Sequence, residues 1–574
     1  MRIVPEESWT LTDLFLARVR HSPQGKAYRW FDGSAWVEMT WAQTAAEVGR
    51  WQAALAKENL EPGDRVGLCA RNRVEWMLFD QAALGLGLVI VPLFYNDRPD
   101  NMAYCLNDAG VKLLLLEDGK LWPAMRDLVP GIGRAICLAD APRSDARAVS
   151  VKKWLPKKGG APQPSPAKAA DLATLVYTSG TTGRPKGVML MHRNIIADLH
   201  AVLQAVPEIC DRPHRFLSFL PLSHMFERTV GYYVPMCMDD DAQVVYARSI
   251  SELGEDLLSQ QPSIIVSVPR IFERVHAKIE ESLPAGSLKR RLFEKTVDIG
   301  WKRFRNEAAW HEHLLWPLLD RLVARKVRAR LGGRVEFIFL GGAPLAPHLL
   351  KVFTGVGLTF IHGYGLTETS PVAACNRLAD NDPLSVGHPV PGTEARVGEN
   401  GELHVRGPIV MQGYWKNLQA TRAVLEPDGW FHTGDVVEIR DNRIYIRGRV
   451  KDVIVLSNGE KIPPGDVEQA IMQDTVFEQV MLVGEGRAYF GLLVVSKLDD
   501  ERELCRRANE QLKDFPGYAR IRHLARVAEP WTVENDLITP TLKMKRNKIE
   551  ERYAQEIEAM YKRSDLCNGE ANGD

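Results

Sequence analysis

Apolar positions along the first third of the chain alternate between helical and extended periods. Between Trp9 and Leu60 the pattern predicts a helix, then a hairpin of Tyr28-Arg29-Trp30 and Trp36-Val37-Glu38 around Asp32-Gly33, then a helix capped by Thr40 and running to about Leu55. A strand over residues 65–68 follows the turn Pro62-Gly63-Asp64. After it come a helix near 74–86, an apolar strand over 88–92, a helix near 102–108 and a strand over 112–116. Apolar strands separated by helices predict a parallel sheet with both faces covered. Residues 157–170, rich in Pro, Lys, Ala and Gly, read as a flexible connector.

Residues 287–333 are helical and basic. Leu288, Leu292, Thr296 and Ile299 fall on one face, as do Leu315, Leu319 and Leu322, and Arg290, Arg291, Lys302, Arg303, Arg321, Arg325, Lys326 and Arg328 surround them. Stripes of this width suit a helix pair packed on its own domain; a surface lying against a membrane is the second reading. After Arg447 the pattern changes to short strands and helices, ending in a charged helix near 548–562. A small C-terminal domain beginning near Lys451 is the natural division, with 563–574 an unstructured tail.

The apolar run from Leu172 enters Tyr177-Thr178-Ser179-Gly180-Thr181-Thr182-Gly183-Arg184-Pro185-Lys186-Gly187-Val188. A buried strand thus stops at hydroxyls, backbone N–H groups and a lysine that can all face one anion. Glycines 180, 183 and 187 allow close backbone approach to a phosphate, and Lys186 adds a compact positive charge. Lys186 is followed by Gly187, which excludes a Walker A loop. A mobile surface turn is the bland alternative, and it has no use for hydroxyl, glycine and lysine together.

This stretch resembles the phosphate loop of the adenylate-forming superfamily, which includes acyl-CoA synthetases, firefly luciferase and the adenylation domains of peptide synthetases. Further motifs follow in that family's order over about residues 177–548. The resemblance implies an α/β fold with a large multi-sheet N-terminal domain over 1–448, a hinge at 449–451 and a small mobile α+β C-terminal domain over 452–562. It assigns ATP to Thr178, Ser179, Gly180, Thr181, Thr182, Gly183 and Lys186. To these it adds Gly341, Gly342, Ala343 and Pro344 in Phe339-Leu340-Gly341-Gly342-Ala343-Pro344-Leu345, and Gly363, Tyr364, Gly365 and Thr367 in His362-Gly363-Tyr364-Gly365-Leu366-Thr367-Glu368-Thr369-Ser370. Tyr364 is the residue expected to stack on adenine, with Glu368 and Thr178 holding Mg²⁺.

In Gly429-Trp430-Phe431-His432-Thr433-Gly434-Asp435 the resemblance gives Asp435 to the ribose diol, and Arg449 to ribose and phosphate. Ser385-Val386-Gly387-His388-Pro389 and Gly401-Glu402-Leu403-His404-Val405-Arg406-Gly407-Pro408 read as structural turns and strands. Pro221-Leu222-Ser223-His224-Met225-Phe226-Glu227-Arg228 resembles the carboxylate-pocket segment, with His224 near the reacting carboxylate, Met225 and Phe226 near an acyl chain, and Glu227 and Arg228 free to form a local ion pair. Lys451 matches the hinge and Gly459 the thiol tunnel; Asn458 stands where a second glycine is frequent. Near the end, Thr539-Pro540-Thr541-Leu542-Lys543 replaces the commoner Ser/Thr-Gly-Lys and resembles the long-chain acyl-CoA synthetase branch. Lys543 is the expected catalytic lysine and Lys545 the fallback; Lys186, Glu368, Thr367 and His224 complete the catalytic set.

The implied activity is a two-step ligase acting on a fatty acid, ATP and CoA with Mg²⁺. The rival readings are loading of an acyl carrier protein and a non-catalytic nucleotide- or lipid-binding relative. Composition changes this little. Lys plus Arg and Asp plus Glu are both 73 in 574 residues, so no global field favours nucleic acid. The 8 cysteines lie at scattered spacings without a zinc pattern, which suits a reducing cytosol. No run of apolar residues is long enough to span a bilayer. The expectation is therefore a cytoplasmic protein, with peripheral contact at the inner face of a membrane and a homodimer as open alternatives.

Overall fold

The computed structural model describes residues 2–142, 145–178, 184–238, 241–284, 286–450, 452–513 and 515–562. Among them, two large sheets carry most of the chain. The first, of eight strands, has the order 413–414, 186–191, 172–178, 89–93, 65–69, 111–116, 134–137 and 148–150. Its middle is parallel, with Leu68 opposite Pro92 and Leu115, as the strand–helix alternation predicts. The hairpin of Leu172–Thr178 and Lys186–Met191 is antiparallel, and Thr178 faces Lys186 at its mouth. Residues 179–183 between them lie outside the described residues.

The second sheet, of nine strands, runs parallel through 359–364, 337–340, 264–267, 215–218, 243–246 and 26–31, with antiparallel strands at its edges. Helix Trp41–Leu55 starts where expected because Thr40 Oγ1 accepts from the Gln43 N–H while Gln43 Oε1 accepts from the Thr40 N–H. Residues 454–560 bury separate apolar clusters around a three-stranded sheet of 477–483, 491–496 and 523–527. The charged C-terminal helix is two pieces, Arg546–Arg552 and Ala554–Lys562.

Several expectations need correction. Residues 157–170 are not a free connector: Gln163 N donates to Gln52 Oε1 (2.8 Å) and Ser165 Oγ to the Leu84 carbonyl (2.6 Å), laying the strip across two helices. A Cβ on Gly49 would meet the Gly160 carbonyl at 1.9 Å, so the contact is close. Helix Leu288–Phe304 buries Phe293, Thr296, Val297, Ile299 and Gly300, while Leu288 is 73% exposed. The face is set by Gly300 crossing Gly355, where a Cβ would fall 1.7 Å from the carbonyl oxygen. In the next helix, Trp310–Leu319, Leu319 is buried but Trp310, Leu314 and Leu318 are exposed, as is Leu322 in the π-helical turn Asp320–Ala324 that follows.

Arg228 does not pair with Glu227. It forms a wholly buried ion pair with Asp80 and also donates to Thr174 Oγ1 (3.0 Å). Glu227 opens a π-helical turn over Glu227–Tyr233 and is completely buried. Neither of its carboxyl oxygens makes a hydrogen bond of normal geometry, and burial, tempered by the Ser218 hydroxyl, pushes its pKa up to about 8.

Folded Glu227 therefore keeps a proton that the unfolded chain loses above its ordinary pKa, so stability falls as pH rises from about 5 to about 8. Glu227→Gln removes this penalty. Its melting temperature should match wild type near pH 5 and exceed it increasingly up to pH 8, as measured by circular dichroism.

Candidate functional site

The adjacent parallel strands Phe337–Leu340 and Thr359–Tyr364 pair Leu340 with His362, so Gly341-Gly342 and Gly363-Tyr364 leave the sheet side by side at its C-terminal edge. That edge is where open α/β sheets receive ligands. Gly342 takes φ +84°, and Gly341 lies so close to the Phe226 ring that a Cβ would stand 3.0 Å from it. The glycine turn and the segment assigned to the acyl chain thus share a wall. Ala343 and Pro344 are exposed, and the Pro344 carbonyl accepts from Gln469 Nε2 of the C-terminal unit (3.2 Å).

Tyr364 donates its hydroxyl proton to Asp435 Oδ2 (2.6 Å), and Arg449 Nε donates to Asp435 Oδ1 (3.0 Å). Asp435 is buried at the root of a turn in which Gly434 has φ +74°. Its two oxygens are anchored yet retain lone pairs for hydroxyl donors. Glu368 and Thr367 lie on a short 3₁₀ turn, Thr367–Thr369, and Gly365 before it is packed against the Pro371 carbonyl.

Tyr414, which no local sequence pattern singles out, ties two site residues together. Its hydroxyl donates to Glu368 Oε1 (2.9 Å), and Lys186 Nζ sits 5.0 Å from its ring centroid. The alternation of Gly413-Tyr414 with the strand bearing Lys186 is visible only once those strands pair. The donor set fits Mg²⁺: one carboxylate with an oxygen left for a hard cation, and the Thr178 hydroxyl at the mouth of the hairpin.

Lys543 reaches this group from the C-terminal unit. Its loop is tied by Lys543 N to Thr539 Oγ1 (3.0 Å) and Thr539 N to the Lys543 carbonyl (2.8 Å), with Leu542 at φ +62°. Leucine therefore carries a left-handed backbone that glycine adopts more easily. The lysine keeps solvent access, although protein is packed closely around it. This environment and the Arg449 charge lower its pKa, while Asp435 and Glu368 oppose the shift. Lys545 and Lys548 both pair with Asp536 instead, away from the group.

His224 faces the same cleft. Burial and the Lys543 charge lower its pKa to about 4, so the ring is neutral at pH 7. Nδ1 accepts from the Phe226 N–H (3.2 Å), which leaves the proton on Nε2 as a donor. Met225 is fully buried and Phe226 half-buried.

The structure therefore brings together Lys186, His224, Glu368, Asp435, Arg449 and Lys543 with the two glycine turns. Gly459 is not among them: it takes φ +85° in a turn whose recorded contacts lie within the C-terminal unit. Asn458 is not left-handed; its side chain accepts from the Glu460 N–H (3.1 Å). Ser179, Gly180, Thr181, Thr182, Gly183 and Lys451 lie outside the described residues.

The family described as AMP-binding enzyme matches residues 15–415, and its AMP-binding enzyme C-terminal domain matches residues 451–565. Long-chain-fatty-acid–CoA ligase FadD15 of Mycobacterium bovis is 30% identical over 94% of this chain and 95% of its own length. Peroxisomal long chain acyl-CoA synthetase 6 of Arabidopsis thaliana is 31% identical over 97% of this chain and 85% of its own. The chloroplastic long-chain-fatty-acid–[acyl-carrier-protein] ligase AEE15 of Arabidopsis thaliana is 28% identical over 92% and 83%. Among solved structures, the anthranilate CoA ligase AuaEII in complex with anthranoyl-AMP superposes with a TM-score of 0.77 at 19% identity, covering 97% of this chain and 99% of that one.

A lysine with a lowered pKa and solvent access should acylate early. Limiting acetic anhydride at pH 8, read by peptide mass spectrometry, should label Lys543 faster than an open surface lysine such as Lys497 and faster than Lys545.

Proposed function

The chain belongs to the AMP-binding enzyme family, and from that premise we propose that it is a long-chain fatty acid–CoA ligase that forms acyl-AMP and pyrophosphate from a fatty acid and ATP, then passes the acyl group to the CoA thiol with release of AMP. The observation that carries this reading is the convergence of Lys543, from the C-terminal unit, on Glu368, Asp435, Arg449 and His224 of the large one. The long-chain relatives at about 30% identity and the Thr541-Leu542-Lys543 variant support the substrate class.

In the first half-reaction the fatty carboxylate attacks the α-phosphorus and pyrophosphate leaves. Lys543 and Lys186 are preorganised cations at the phosphates, where charge builds up. The Nε2–H of neutral His224 orients the attacking carboxylate, and the wall of Met225, Phe226 and Gly341 receives the first part of its chain. Asp435, steadied by Tyr364 and Arg449, holds the ribose hydroxyls. Glu368 and Thr178 are the residues that would hold Mg²⁺, which would supply neutralisation of the phosphate charge. In the second half-reaction the C-terminal unit turns about Lys451, withdraws Lys543 and brings the Gly459 loop to line the path of CoA.

An acyl carrier protein as acceptor is the second reading, favoured by the resemblance to AEE15. With purified protein, Mg·ATP and acids from acetate to stearate, the expected product in the presence of CoA is acyl-CoA from the long acids. Adenylate that ignores CoA but loads a carrier protein would select the second reading. Lys543→Ala should slow adenylate formation by about 100-fold or more, whereas Lys545→Ala, which removes an ion pair to Asp536, should leave it nearly unchanged.

Contact with an anionic membrane surface belongs to the same proposal, supported by exposed Trp310, Leu314, Leu318 and Leu322 beside Arg321 and Arg325. No helix of the described residues is long and apolar enough to cross a membrane. The protein should float with anionic liposomes and remain at the bottom with neutral ones; no flotation with either removes the membrane reading.

A further inference from the structure

Strand Glu402–Arg406 pairs antiparallel with strand Phe431–Arg440, and the register sets His404 directly opposite His432. Their rings face each other with centroids 3.8 Å apart. Glu402, two residues before His404, projects from the same face of the strand. Its Oε2 lies 3.6 Å from His404 Nε2 and 3.5 Å from His432 Nδ1, and one ligand atom from each of the three residues falls within a 4.8 Å group. A tetrahedral ion with bonds of about 2.0–2.1 Å needs ligand atoms about 3.3 Å apart. Both carboxylate–histidine separations, 3.6 and 3.5 Å, lie close to that spacing.

The remaining ring nitrogens point to the same conclusion. His432 Nε2 lies 2.7 Å from Glu426 Oε1, and His404 Nδ1 lies 3.8 Å from that same oxygen. His404 is 7% exposed, and its Nδ1 is buried without a hydrogen-bond partner. A metal-binding histidine commonly donates its far N–H to a carboxylate, which fixes the tautomer and the ring. Here one carboxylate stands behind both rings, and Arg396 holds it by hydrogen bonds of 3.0 and 3.3 Å. Glu402 is fixed in turn, because its Oε1 accepts from the Gly434 N–H (2.7 Å). The His404 ring rests on Gly398, where a Cβ would approach within 2.5 Å, so the cradle needs a glycine. His432 and Glu402 keep partial exposure, which gives an ion and a completing water a way in.

We propose that Glu402 Oε2, His404 Nε2 and His432 Nδ1 form a site for a divalent transition metal of the zinc class, with Glu426 orienting both histidines. Two imidazoles and one carboxylate favour Zn²⁺, Co²⁺ or Ni²⁺ over Mg²⁺, which prefers oxygen donors. The site is separate from Glu368 and Thr178. It pins two strands and, through Glu402, the turn that carries Asp435, so its role is structural. The inference does not depend on the ligase reading.

The test uses the full chain without an affinity tag, stripped with a chelator and titrated with Co²⁺ in millimolar Mg²⁺. One equivalent should bind with the visible absorption of a tetrahedral centre, Zn²⁺ should displace it, and Zn²⁺ should raise the melting temperature by a few degrees. His432→Ala should abolish the absorption, and Glu426→Gln should weaken binding by about 10–100-fold. Gly398→Ala, which removes no ligand, should weaken it by displacing the His404 ring. Circular dichroism of the chelated variants verifies that each is folded. Wild type without stoichiometric binding overturns the proposal. So does binding that survives unchanged in His432→Ala and Gly398→Ala, since the ion would then lie elsewhere.

Discussion

The buried guanidinium of Arg228 is the constraint on which the large domain depends. It meets Asp80 on helix Val74–Gly85, Thr174 Oγ1 on the strand leading to the phosphate loop, and the Tyr233 hydroxyl, with its charge also over the Trp76 ring at 5.2 Å. Tyr232 and Tyr233 both donate to Asp80 Oδ2, so the carboxylate is hydrogen-bonded as well as paired. Burial raises the Asp80 pKa and the guanidinium opposes the shift. Removing one partner from such a pair leaves an uncompensated charge, at a cost of about 3–5 kcal/mol. The result is mechanical: the segment with His224, Met225 and Phe226 is held at a fixed distance from the strand that ends in Thr178.

The other side of the cleft is held differently. Among the contacts of the C-terminal unit with the large one are a side-chain amide hydrogen bond from Gln469 to Pro344 and a partly exposed ion pair between Arg98 and Asp536. Exposed polar contacts of this kind are worth little and exchange readily with water. A rigid wall facing a lightly held lysine loop is the mechanical arrangement that the proposed pair of half-reactions calls for. Thr539 closes the loop that carries Leu542 and Lys543, while the neighbouring Lys545 pairs with Asp536.

Local signals were strongest where a short stretch carries its own reason. Thr40 and Gln43 satisfy each other's backbone within one turn, and Gly341-Gly342 and Gly363-Tyr364 advertise turns at strand ends whatever surrounds them. Signals failed where a partner lies far along the chain. Leu288 reads as core but is exposed, because the crossing at Gly300 and Gly355 sets which face is buried. The proline-rich strip reads as a linker, but Gln52 and Leu84 supply hydrogen-bond partners more than 80 residues away. Glu227 and Arg228 are an adjacent acid and base in the sequence, yet their side chains point to different environments.

By itself, then, the sequence determined the alternation of strands and helices, the motifs of the nucleotide and acyl segments, and the change of character after Arg447. Each of these rests on periodicity or on residues within a few positions of one another. Only the tertiary structure decided that Lys545 turns away to Asp536, that Tyr414 joins Glu368 to Lys186, and that His404 meets His432 beside Glu402. These are pairings between distant strands and loops. No local pattern encodes them, because strand register and helix crossing are fixed by the packing of the whole domain.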